Sequence, residues 1–228
     1  MAKKKISRKK LLKEPDEFIT LSGKMIQFAM KNKTQITYGI GIVIAVVVLI
    51  AGYRLFAIRS ENKSLALFDQ AVSKYATSIR TRDMNQAYQS VTKDFQVILD
   101  KYGNKGGGKL ARVTFANICF DAGEYGEAVK LYEESLKNFE HHPMIYNLIL
   151  SGLGYANQQL NENQLAVTYF EKIVARDDQI LSDEALFNLG LLYEKLGEME
   201  KSEKAFNQIV SDFPDSMYIN IIKERSSG

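Results

Sequence analysis

Gly103-Asn-Lys-Gly-Gly-Gly108-Lys109 has the G-x-x-x-x-G-K spacing with which a loop cradles phosphate, amides converging on the anion and the lysine reaching its outer oxygens. Leu110 stands where a serine or threonine hydroxyl must reach magnesium, and the preceding segment reads as a helix, not the strand such a loop follows. The run is therefore expected to be a flexible interhelical turn. His141 and His142 are adjacent, so their side chains diverge on any regular backbone, and no cysteine or acidic partner sits at a metal-ligand spacing. Cys119 would need a base to act as a nucleophile, yet it falls at a helix packing position and reads as a small buried hydrophobe. Glu133-Glu134 and Asp177-Asp178 are paired only along the chain and read as solvent-facing. The expectation is a protein that is not an enzyme, with no catalytic residues, no cofactor and no metal, acting through its surface.

Helices must build that surface. Three prolines, no tryptophan and apolar residues recurring at three and four argue for helices, with no sustained two-residue alternation. The fold class is read as all-α. One cysteine excludes an internal disulfide, so stability must come from packing. Four segments can be laid over one another: Phe95 to Tyr102, Tyr132 to Phe139, Phe170 to Asp177 and Phe206 to Phe213. Each has an aromatic followed by an apolar pair, with Ser135 standing for one member in the second segment, and their lead residues lie 37, 38 and 36 apart. A period slightly above 34 is what stacked helical hairpins produce.

These residues resemble the tetratricopeptide repeat family. The best copy, Asp183 to Ser216, has Leu186, Leu189, Gly190 and Tyr193 on its first helix, Gly197 at the turn, Phe206 on the second helix and Pro214 closing it. The copy near Asn147 keeps Leu150, Leu153, Gly154, Ala166 and Phe170; that near Lys109 keeps Phe115, Ala116, Gly123, Ala128 and Tyr132. Asn157 and Cys119 replace the first-helix aromatic, Ser202 replaces the small alanine, and the earliest hairpin is divergent. Hairpins are expected near 64–102, 109–140, 147–177 and 183–214, with a capping helix over 216–225. The resemblance implies a partner-binding concave face at Leu110, Val113, Asn117, Phe120, Leu148, Ser151, Tyr155, Gln158, Glu184, Phe187, Leu191 and Glu194, with Phe120, Tyr155 and Phe187 as anchors for a protein or peptide. Val113, Ser151 and Phe187 stand where some family members place the cations that clamp chaperone carboxylates, so such tails are not expected ligands.

Between Thr34 and Tyr53 the chain carries no charge; as a helix at 1.5 Å per residue this stretch reaches about 30 Å, the thickness of a hydrocarbon core. Residues 34–58 are read as a single transmembrane helix, uncleaved because the basic leader is long and no A-x-A-like site follows. The leader, 1–33, holds ten cations against three acids, so positive-inside bias keeps the N-terminus cytoplasmic and sends 59–228 across. From Pro15 to Met30 it reads as a short amphipathic interfacial helix. The leader is +7 (10 minus 3) and the remainder −4 (20 minus 24), so the large domain has no basic footprint for nucleic acid. The expected location is a bacterial inner membrane, with the repeat domain in the periplasm. This order of parts is similar to the YfgM-like ancillary subunits of the Sec translocon, which implies partners in that channel and a membrane-anchored periplasmic chaperone. A structural scaffold of a secretion, motility or division assembly is the alternative.

Overall fold

The structure is a computed structural model describing residues 17–81 and 83–226, and every regular element among them is a helix. The leader's first cations, from Lys3 to Lys13, and Pro15 lie outside the described residues. The chain divides into two units, 1–58 and 59–228.

In the first unit lies α1 (Glu17–Lys31), whose Leu21, Met25, Ile26, Phe28 and Met30 are all exposed. The long helix α2 (Lys33–Ser78) begins there. Its apolar stretch has no residue buried inside the protein, and α2 is the one described helix long and apolar enough to cross a membrane. Leu49 and Phe56 are each 72% exposed, which in water would leave large apolar area unburied.

The second unit starts from a stripe of small residues seven apart on α2: Ser64, Ala71 and Ser78, all buried. Helix α3 (Met84–Tyr102) lies against it through Val91, Phe95 and Ile98, and is capped where the Asp83 carboxylate accepts from the Gln86 N–H at 2.8 Å. Lys74 to Asp94 at 2.7 Å and Ser78 to Ser90 at 3.1 Å tie the two helices. Three further hairpins follow, with helices α4 (Gly106–Asp121) and α5 (Tyr125–Phe139), α6 (Pro143–Gln159) and α7 (Asn163–Val174), α8 (Ser182–Lys195) and α9 (Met199–Asp212). From α3 onward to α9, each helix packs on the next in the chain.

The three hairpins close with the same turn. Gly123, Asn161 and Gly197 take the left-handed conformation at φ 81°, 63° and 78°, where glycine or asparagine costs least. Behind them the Glu124, Glu162 and Glu198 amides reach back to the carbonyls of Cys119, Asn157 and Tyr193 at 2.8–2.9 Å. Within the last two hairpins a glycine of the first helix receives an aromatic ring of the second. A Cβ on Gly154 would lie 2.5 Å from the Phe170 ring, and one on Gly190 would meet Phe206. Ser202 keeps the close approach that alanine would allow and places its hydroxyl on the Gly190 carbonyl at 2.8 Å, so the buried oxygen is satisfied.

The glycine run after α3 is a packed crossing, not a loose turn. Helix α4 begins at Gly106, three residues before the expected hairpin start at 109, and Gly107 lies so close to the Ser64 backbone of α2 that a Cβ there would collide. The Glu61 carboxylate accepts from the Gly106 N–H at 2.7 Å. It occupies the helix N-terminus that a phosphate would need. The last helix, α10 (Ile219–Ser226), starts three residues later than expected, since Ser216 turns to donate to Asp183 at 2.7 Å. It buries Ile222 and leaves Ile221 at 44% exposure.

Candidate functional site

The residues considered for chemistry go separate ways. Cys119 is fully buried, and burial first, then Glu127 and Glu124, pushes its thiol up to about 12, so the thiolate that nucleophilic attack requires is suppressed. His141 and His142 are exposed, with His142 set edge-on to Phe139. Glu133 accepts from Tyr169 at 2.9 Å while Glu134 faces Arg112 at 3.3 Å. Burial works to raise the Asp178 carboxyl, but the Ile180 N–H, Arg176 and Asn147 together hold it below its usual value. Asp178 thus ties the α7–α8 connection to buried Asn147, which also reaches the Ile180 carbonyl at 2.9 Å. Among the described residues no group of three or more His, Cys, Asp or Glu side chains converges to hold a metal.

The first-helix stripes form a surface in three unlike parts. On α4, Leu110 is exposed, Val113 half-buried, and Asn117 accepts from the Tyr132 hydroxyl at 2.5 Å. Phe120 is half-buried and edge-on to Tyr125, with centroids 5.3 Å apart. On α6, Leu148 is 50% exposed, Ser151 is buried, and Tyr155 and Gln158 are half-buried. Tyr155 rests edge-on against Phe170 and turns its hydroxyl toward Glu184 and Asn188 of α8. On α8, Phe187 is not a free anchor: it stacks on Tyr218 at 4.4 Å and leans on Phe206. Glu194 is likewise engaged, paired with Arg225 of α10, and Leu191 is half-buried. The segment 216–225 thus covers Phe187 and Glu194 of the stripe and leaves the α4 and α6 parts open.

Where α6 meets α8, polar groups converge. Glu184 Oε1 accepts from Ser151 Oγ at 3.0 Å and from Tyr155 Oη at 2.9 Å. Asn188, buried, donates to Tyr155 Oη at 2.9 Å and to the Glu184 carbonyl at 2.8 Å. Burial first, then the Glu184 carboxylate, raises the Tyr155 phenol, which holds it as a donor. The sequence placed Ser151, Tyr155 and Glu184 on one face but missed Asn188, whose position one turn beyond Glu184 was the available signal. A separate depression of about 450 Å³ opens between α7 and α9, floored by Leu186, Leu189 and Tyr193 and edged by Lys201 and Lys204.

Repeated hairpins of this kind, with a glycine–aromatic contact and a left-handed closing turn, define an all-α solenoid of the tetratricopeptide type. Residues 184–216 match the tetratricopeptide repeat family model. A tetratricopeptide repeat protein from Parabacteroides merdae has a similar fold, with TM-score 0.56 and 16% identity, aligned over 69% of this chain and 58% of that one. The MamA protein aligns at TM-score 0.51 and 17% identity over 68% and 74% of the two chains. MamA from Desulfovibrio magneticus, residues 41 to the end, gives TM-score 0.51 and 16% identity over 71% and 86%. At these identities the likeness is one of fold. A search for sequence relatives among curated proteins found no significant match.

Proposed function

We propose that this chain is a membrane-anchored tetratricopeptide-type protein that binds polypeptides or partner proteins on the periplasmic side of a bacterial inner membrane, as an ancillary to the Sec translocon and its chaperones. One observation carries the binding part: the open α4 and α6 stripes combine exposed Leu110 and Leu148 with amides and hydroxyls and assemble no reactive group. Stacked hairpins of this type serve characteristically as interaction scaffolds, because each repeat adds contact area without needing a cofactor. Support for the anchor comes from the charge-free part of α2, with no residue buried, and from the ten cations before it. Support for the translocon comes from the order of basic leader, span and repeat domain. An anchor would hold the binding face at high local concentration beside its membrane partner, so individually weak contacts suffice.

The test is purification of the full chain from membranes in mild detergent, with its companions identified. Channel subunits and a membrane-anchored chaperone are the expected result. A single envelope assembly recovered without translocon components would replace this reading with a dedicated scaffold.

A further inference from the structure

The first-helix face carries one unbalanced charge. Its α4 positions, Leu110, Val113, Asn117 and Phe120, are uncharged, and α6 has no charged residue from Pro143 to Gln159. On α8, Glu194 is neutralised by Arg225, which leaves Glu184 with no ion pair to any described residue. The two hydroxyls that hold Glu184 both donate to Oε1. Oε2 receives no such bond among the described residues and is not sealed in the interior. The carboxylate is thus oriented by its neighbours with one oxygen presented. Held in place by two hydroxyl donors, it presents a fixed acceptor with which an ammonium or guanidinium can form a charge-assisted hydrogen bond.

Leu110, Leu148 and Glu184 are the corresponding positions of three successive first helices, 38 and 36 residues apart. Successive first helices also meet, α4 with α6 along part of their length and α6 with α8 through the Ser151 and Tyr155 bonds to Glu184. Helices in contact lie about 10 Å apart and an extended chain advances about 3.3 Å per residue, so residues three apart on a ligand meet successive first helices. Resting on the reading of this face as the contact surface, we infer that it takes an extended polypeptide segment carrying a lysine or arginine and two apolar residues at spacings of three, the cation on Glu184 and the apolar side chains over Leu148 and Leu110.

The probe is a labelled peptide with two leucines and a lysine, each three apart and separated by serines, made in both orders. Its binding to the full chain in nanodiscs is followed by fluorescence anisotropy. The lysine peptide in one order should bind about tenfold more tightly than its norleucine counterpart, the worth of one hydrogen bond to a charged group. Glu184→Gln, which keeps an acceptor for Ser151 and Tyr155 and should leave the melting temperature unchanged, should abolish that preference while the norleucine peptide binds as before. Equal binding of lysine and norleucine peptides, or a preference that survives Glu184→Gln, overturns the inference. If both peptides bind equally and Leu148→Asp weakens both, the contact face stands and only the cation preference fails. If no peptide binds, both readings fall.

Discussion

A leucine at position 190 would have to share space with the Phe206 ring, which already lies where a Cβ would go. Gly190→Leu should therefore cost about 1 to 3 kcal/mol by overpacking, read as a lower urea midpoint; a midpoint equal to the parent's would remove this helix contact. Cys119 gives a second expectation. With its thiol pushed up to about 12 by burial, the folded state holds the proton longer than the unfolded chain does. The sign follows: this contribution to stability is complete below the ordinary thiol value near 9 and is lost as pH rises from there toward 12. Burial also raises the Tyr132 phenol, which acts in the same direction. Melting temperature should fall across this alkaline window, less steeply for Cys119→Ala, and the thiol should react with a maleimide only after unfolding. Gly190 and Cys119 were legible as packing positions because each recurs at a fixed place in its repeat. Glu61 was not, since its bond to Gly106 joins residues 45 apart that no local pattern relates.

At the scale of elements, the same left-handed turn at Gly123, Asn161 and Gly197 sets the angle of each hairpin. Gly197→Ala should cost about 1 kcal/mol, the penalty of an L side chain in that conformation, and an unchanged urea midpoint would contradict it. Asn147 holds the connection between α7 and α8 through Asp178 and Ile180, so Asn147→Ala should destabilise by about 1 to 3 kcal/mol and speed amide exchange over 177–181. Normal protection there would show that the clamp is dispensable. The joints between hairpins were legible because apolar periodicity and breakers coincide, as at His142-Pro143 and Pro214-Asp215. Two ends differed for tertiary reasons. The α4 start moved to Gly106, where the Glu61 carboxylate caps the N–H and bare Gly107 can lie on the Ser64 backbone, and the α10 start moved to Ile219 because Ser216 bonds Asp183 instead of entering the helix. The candidate face was legible as a list of positions. Whether the C-terminal segment covers Phe187 was left open by the sequence, because the contact depends on how the last turn directs Tyr218.

At the scale of the whole molecule, the proposal joins a charge-free span, a basic leader and a contact surface into a protein fixed beside the chains it binds. A reporter fused after Gly228 should be active only outside the cytoplasm; cytosolic activity would reverse the topology and remove the translocon proposal with it. The measurement that bears most directly on the central claim is photocrosslinking in intact cells from single sites on the full chain. Leu148 and Tyr155 sample the open first-helix face, and Asn207 on α9 serves as the comparison site. Crosslinks to many different polypeptides from 148 and 155, and few from 207, are the predicted result. Crosslinks as strong from 207, or none from 148 and 155, would contradict a function carried by that face.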